Sequence, residues 1–589
     1  MLGLFGGWQK RCLLYSVALV IFAAIALAVG HDGLFYWNSD PDGISVVSLN
    51  MIQRGSVVLN KKEADFFGKS NYRIDKLGNA EEVYAYPVGT ALFLAPIVLT
   101  FHSLGRSPYK WDKDIQRVGV VVLSFAILLT LFAIYSRYVV TVWSYALTVL
   151  TFFGTLVGPT VGGALWSIDL AIAIMGVCIL LIVGGKDSGG WLVVIAILLW
   201  LGYVTRPSFA LFIAGIFLYY ALQRNFKALI ISGLTSGLLL FLFVVWSYHN
   251  YHSMLPPYYM QASRLSLAGA EQALSGLLFS ASRSVIIYSP IVAVAAWLLV
   301  KRTKFLITQC TANNELECRI KDSAPVSKDD MLLVGMGIPF FGVFILNVFW
   351  PMWWAGGSYG PRILTSMAYL GAVISVISCS REEKRSFWLK AILTLLLIGV
   401  PISLQGMYNS ATSAWLGVPS SNGLYQPETV WSYRYPQWLA SNASLLSMCR
   451  DEARILKTTC DNVPSDVLFE ELGAGVKKYL SYGGKDGDVW PSVLEKQGDL
   501  PRAYGSESGA AKNWTANGGW LGNWGNGSVG IGVKGKYNDV IGIIKRYGKT
   551  ASVVFYPYPR VFHYHSAEKR GVNGLLLMVF SEAQINKDF

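Results

Sequence analysis

The sequence predicts a polytopic α-helical membrane protein of about 12–13 membrane segments, followed by a C-terminal soluble α+β or β-rich domain. Three observations predict it. Hydrophobic residues make up 53% of the 589 positions and charged ones only 14%, a balance with mean hydropathy +0.42 that is foreign to soluble globular chains. Apolar runs of spanning or nearly spanning length recur along residues 1–405. Near residue 406 the composition turns polar and rich in Gly, Asn and Trp.

The runs fall at about 11–30, 88–104, 117–136, 140–158, 166–184, 190–204, 207–222, 228–247, 285–300, 331–350, 361–379 and 388–405. The first follows Lys10 and Arg11 as a signal peptide would, but it lacks a small-residue cleavage site and more apolar segments follow, so it reads as a retained anchor. Basic clusters at Arg224 and Lys227, at Lys301, Arg302 and Lys304, and at Arg381, Lys384 and Arg385 mark the inside. The 31–87 loop, the 248–284 and 350–361 loops and everything after 406 then face outside. Twelve full spans would put both ends on one side, so the count misses by one crossing. The expected repair is a half-span or re-entrant second segment, which carries Pro87 and Pro96, or a pair of short helices merged between 116 and 166.

Residues 31–87 are too long for a connector and too polar to span, which predicts short interfacial helices. Residues 248–284, with Tyr248, Tyr251, Tyr258 and Tyr259, suit an interface in the same way, and 301–330 reads as an inside loop. The tail opens with helical character over 441–481 and then shows strand-like runs, SVGIGV and TASVVFY. Trp514, Trp520 and Trp524 among Gly and Asn suit stacking on sugar rings, although β-turns use the same small and amide residues. The net charge of +13 sits largely in short loops, where it reports orientation rather than nucleic-acid binding. Seven cysteines show no metal-ligand spacing. Cys449 and Cys460 could pair if the tail faces an oxidising compartment, and Cys310 and Cys318 are expected reduced.

The stretch from Asn38 to Asn60 places Asp40 and Asp42 at a membrane surface ahead of an apolar-patterned helix and Gly55. Acids there call for a cation, a proton or a reacting hydroxyl, although a solvated helix cap uses the same residues. Asp40-Pro41-Asp42 also matches the D-x-D pattern that holds a divalent metal and a nucleotide sugar, but the chain lacks the strand–helix alternation of such a domain. No cofactor is required by the motifs, and a divalent metal on Asp40 and Asp42 stays open. Asp169, at the start of an apolar segment, is a third candidate acid, with a helix-first-turn role as the plain alternative. Arg206, Arg283 and Arg362 lie at expected outer boundaries, where a planar guanidinium grips phosphate bidentately or, more simply, snorkels or closes a helix end. Tyr86, Tyr258, Trp354, Gly357 and Tyr359 are the expected substrate contacts: the aromatics sit in outer loops, and glycine permits close backbone approach. His249 and His252 have no third ligand and read as interfacial.

The run from Asp40 through Met51 to Gly55 resembles the first outer loop of the lipid A aminoarabinose transferase and protein mannosyltransferase superfamily, members of the GT-C class. On that match Asp40 stands at the catalytic acid, and Pro41 occupies a position where the family often has a second acid. Tyr86-Pro87-Val88-Gly89-Thr90, the stretch 276–283 with Tyr288-Ser289-Pro290, and 353–362 are similar to a broad group of bacterial GT-C proteins, extending the likeness to about residue 405. The charged residue those enzymes carry near Tyr86-Pro87 is absent here, and Asp169 resembles their second acid near the outer face.

The resemblance implies a GT-C-like fold in the bacterial inner membrane, a periplasmic active site and a polyprenyl-phosphate or diphosphate sugar donor. A glycan, lipid or protein hydroxyl would accept the sugar. A single displacement needs one base, so Asp40 and an inverting outcome are expected. An oligosaccharide ligase or polymerase, a lipid-linked sugar flippase and a non-catalytic glycan receptor are the alternatives.

Overall fold

The computed structural model describes residues 7–32, 40–67, 72–77, 81–186, 188–312, 327–356, 358–415 and 429–441, residues 444, 445 and 448, and four strands within 519–581. Gly357, Cys318, Cys449, Cys460, Trp514 and Trp524, with most of 441–481, lie outside the described residues. The chain divides into two units, 1–409 and 410–589.

The first unit is a helical bundle. Its helices are α1 (Gly7–Asp32), α2 (Ile44–Arg54), α3 (Lys61–Phe67), α4 (Gly89–Ser103), α5 (Pro108–Tyr135), α6 (Thr141–Phe153), α7 (Val157–Gly163), α8 (Ser167–Val183) and α9 (Gly189–Thr205). After a short 3-10 turn come α10 (Ala210–Leu222), α11 (Phe226–Tyr251), α12 (Ala270–Phe279), α13 (Val285–Tyr288), α14 (Ile291–Ala312), α15 (Lys328–Val348), α16 (Thr365–Cys379) and α17 (Arg385–Tyr408). One antiparallel hairpin, β1 (Ile74–Lys76) with β2 (Glu82–Tyr84), interrupts them.

Among the described residues, five helices are long and apolar enough to cross a membrane: α5, α11, α15, Arg362–Cys379 and α17. A sixth arises if α6 and α7, bent by 58°, form one broken span. Most of the remaining apolar runs expected to span are helices of 13–17 residues, below the roughly 20 that a straight span needs. They are cut short by turns at Gly184 and Gly185 and at Arg206-Pro207, whose ring cannot continue a hydrogen-bonded helix. Glycines let some helices pack backbone to backbone. A Cβ on Gly215 of α10 would sit 2.4 Å from the Gly335 carbonyl oxygen of α15, so only hydrogen fits at that crossing.

Each end of the bundle carries its own set of ion pairs. One end carries the ion pairs Lys301–Glu382, Arg302–Glu382, Arg302–Asp330 and Arg381–Asp329. At the other end the Asp40 loop meets the starts of α4, α8 and α16 and the turn after α9.

α4 begins at this second end. It starts beside the Asp40 loop, and nine residues past its last turn Asp112 hydrogen-bonds Gly43 of that loop. Pro96 lies inside this apolar helix of 15 residues.

The second unit contains α18 (Ser410–Ala414) and an antiparallel sheet of β3 (Gly519–Asn523), β4 (Val529–Lys534), β5 (Ala551–Pro557) and β6 (Gly574–Ser581), in the order β3-β4-β6-β5. The SVGIGV and TASVVFY runs fall on β4 and β5.

Candidate functional site

The Asp40 loop is shaped by groups far along the chain. Gly43 turns the chain into α2 with φ +83°, a left-handed conformation that suits glycine, and a Cβ there would meet the Phe67 ring at 2.4 Å. No side chain of the loop caps α2. Asp112 of α5 does so from 69 residues away, accepting from the Gly43 and Ser45 amides (2.9 and 3.2 Å) and from the Ser45 hydroxyl, while Gln116 donates to Asp112 (2.7 Å) and to the Pro41 carbonyl (3.0 Å).

Asp40, 35% exposed, faces a cleft with a polar floor. Its Oδ2 lies 3.3 Å from an Arg362 terminal nitrogen, and its Oδ1 accepts from the Tyr72 and Tyr86 phenols, each at 3.4 Å. The Arg362 guanidinium carbon sits 3.5 Å from the centroid of the Trp166 ring, a cation–π stack that fixes its plane. Its other terminal nitrogen is buried and makes no hydrogen bond. Arg206, at the turn after α9, donates to Ser208 (3.2 Å) and Ser167 (3.5 Å) hydroxyls and, among the described residues, forms no ion pair. Thr90 lines the same cleft with an unpartnered Oγ1, and the Tyr258 ring packs 5.1 Å from that of Tyr86. The interior, about 80 Å³, has room for several waters and therefore for a phosphate-sized group, with anything larger projecting through the mouth.

Electrostatics sort the oxygen groups. Burial, and then the Asp40 charge, push the Tyr72 phenol up to about 12 and raise Tyr86 further. Both phenols therefore stay protonated at neutral pH and donate to Asp40 Oδ1.

Of the residues singled out from sequence, the structure brings Asp40, Arg206, Arg362, Tyr86 and Tyr258 together. Asp42, two positions from Asp40, does not line the cleft; it pairs with Lys113 and with Arg73 (3.6 Å). Asp40 and Asp42 thus each meet a different set of cationic side chains. Among the described residues no three His, Cys, Asp or Glu side chains form a metal-binding group.

Asp169, fully buried, accepts the Trp166 amide at 2.8 Å as the capping acid of α8, while its other oxygen has no partner. It lies behind the cleft wall, where it secures the turn that carries Trp166 and Ser167. Arg283 is also diverted from the cleft. It is 1% exposed and donates to the carbonyls of Trp354 (2.5 Å), Ser282 (2.6 Å), Ser358 (3.2 Å) and Gly356 (3.5 Å), so it braces the 354–358 loop. Trp354 belongs to that braced loop, and the Tyr359 hydroxyl donates to the Ile402 carbonyl of α17 at 2.5 Å. Neither lines the cleft.

Sequence reasoning missed Trp166, Thr90, Tyr72 and the Asp112 cap. Trp166 stands in the same ALWSIDL run as Asp169, and an aromatic just before a capping acid was its available signal. Asp112 gave none, because its partners are set by tertiary packing. A comparison of the chain with family models, with curated proteins and with solved structures returns no match.

Proposed function

We propose that this chain is an inner-membrane glycosyltransferase working at the periplasmic face. It takes a sugar from a polyprenyl-phosphate-linked donor and transfers it to a hydroxyl of a glycan, lipid or protein, with Asp40 as general base. The observation that carries the reading is the convergence in one cleft of an accessible carboxylate with two guanidiniums, Arg206 without an ion pair and Arg362 with an unused donor. The cation-rich opposite end supports the periplasmic placement through the positive-inside tendency.

In the proposed reaction the donor phosphate enters between Arg206 and Arg362, which neutralise it bidentately. Drawing Arg362 toward the phosphate frees Asp40 Oδ2, and the acceptor hydroxyl gives its proton to that oxygen. The hydroxyl oxygen attacks the anomeric carbon from the side opposite the phosphate, the bond to the phosphate oxygen breaks, and polyprenyl phosphate leaves with the electron pair. One displacement gives inversion. Tyr72 and Tyr86 keep Oδ1 occupied, so the proton is received at Oδ2.

The test is transfer of radiolabel from a polyprenyl-phosphate-sugar pool into envelope glycan, lipid and protein by membranes lacking the chain and then resupplied with it. Wild-type protein restores transfer. Asp40→Asn, inserted at equal level, lowers it by about 10²–10⁴-fold, the usual worth of a positioned base. Wild-type rates from Asp40→Asn would end the base assignment, and no chain-dependent labelling would end the enzymatic reading.

A further inference from the structure

A second cavity, of about 470 Å³, opens on the other side of α2 and is separate from the Asp40 cleft, sharing none of its lining residues. It lies between the C-terminal half of α2, α3 and the turn joining α4 to α5, and its size falls within the range of small-molecule sites. Its one acid, Glu63, is neutralised inside the groove by Arg54 at 2.5 Å and accepts the Asn60 amide at 2.7 Å. What remains is positive. The Lys62 ammonium rests 4.5 Å from the Tyr109 ring centroid and, among the described residues, meets no carboxylate. His102 lines the groove, and Arg106, the residue after lining Gly105, stacks 4.5 Å from the Trp111 ring and 5.8 Å from that of Phe101, again without a carboxylate.

Cations laid on aromatic rings beside an apolar helix are the side-chain arrangement of a membrane–water interface. The outer face of α4 supplies the apolar flank: Leu92, Leu99 and, just past its end, Leu104 are exposed. We propose that this groove binds the phosphate of an anionic phospholipid, whose acyl chains lie along α4. Lys62 meets the phosphate in the groove, Arg106, next to lining Gly105 but outside the lining itself, adds positive charge beside it, and the hydroxyl-bearing headgroup reaches Asn60 and Gln53 on the groove wall. The site is independent of the glycosyltransferase reading, since none of its residues faces Asp40.

The experiment is native mass spectrometry of the full chain released from nanodiscs of phosphatidylcholine and phosphatidylglycerol in equal amounts. Wild-type protein is expected to retain phosphatidylglycerol preferentially. The double variant Lys62→Gln, Arg106→Gln should lower that preference by about tenfold, because each basic side chain at an anionic surface adds appreciably to attraction. Lys62→Arg should keep it, and Lys227→Gln with Lys304→Gln, two exposed cations elsewhere, should leave it unchanged. An unaltered preference in the double variant, or an equal loss in the distant control, overturns the site. Competition by millimolar inorganic phosphate as effective as that by the lipid overturns the lipid assignment in favour of a free-anion site.

Discussion

Arg362 and Arg283 look alike in sequence, each a lone guanidinium at an expected membrane boundary, yet the structure gives them opposite employment. Arg283 is enclosed and spends its donors on backbone carbonyls, among the described residues those of Ser282, Trp354, Gly356 and Ser358. Arg362 stands at a cleft, stacked on Trp166, 16% exposed, with one nitrogen on Asp40 and another left over. An arginine whose donors are consumed by its own fold is scaffold, while one that retains a donor in a concave polar site is available to a ligand.

The contrast breaks most visibly if Arg283 is removed. Arg283→Ala strips the 354–358 loop of its brace and is expected to destabilise the protein by about 3 kcal/mol, because buried carbonyls lose charge-assisted hydrogen bonds worth roughly 1.5–3 kcal/mol each. The check is recovery of monodisperse protein in detergent and its melting temperature. A normal yield and an unchanged melt would place Arg283 on the ligand side after all. Arg206→Ala should do the reverse, leaving the melt within a degree or two while weakening retention of radiolabelled polyprenyl phosphate by about ten- to a hundredfold, the value of one charge-assisted contact.

Asp42→Asn sharpens the comparison within the Asp40 loop. It loses a partly exposed ion pair with Lys113 and one with Arg73, which is buried, so about 1–2 kcal/mol of stability is expected to go, with label transfer retained. Transfer as damaged as in Asp40→Asn would make the two acids a catalytic pair.

The smallest expected effect is spectroscopic. Tyr72 titrates near 12, above the usual value for a phenol, because of burial and then the Asp40 charge. A raised folded-state value means that the linked stability is intact below about pH 10 and is lost as pH climbs toward 12. The phenolate difference spectrum between wild type and Tyr72→Phe should therefore develop late, and earlier in an Asp40→Asn background. An unmoved midpoint there would remove Asp40 from the environment of Tyr72.

How much of this was readable beforehand follows the same division. The apolar runs show a helical membrane protein directly, because burial in lipid selects composition. Their lengths misled where a helix ends inside a continuous apolar run, as at Gly154 in the bend between α6 and α7, within the run at 140–158. The placement of Asp40, Arg206 and Arg362 at one end of the bundle was legible from residue type and boundary position. That of Arg283, Trp354 and Tyr359 was not, since a carbonyl of a distant loop leaves no trace in local sequence. Asp42 and Asp40 differ only in which cations fold beside them, and that is decided by Lys113 on α5 and Arg73 before the hairpin.

The cap that Asp112 places on α2 has a consequence for anyone wishing to move this chemistry. One short patch of α5, from Asp112 to Gln116, supplies the acceptor for Gly43 and Ser45, the amide donor to Pro41 and the ammonium for Asp42. A transplant of residues 38–60 into another scaffold would arrive without its fastening and would collapse into a different turn. The graftable unit is the pair, loop together with patch, and a library that randomises one must hold the other constant.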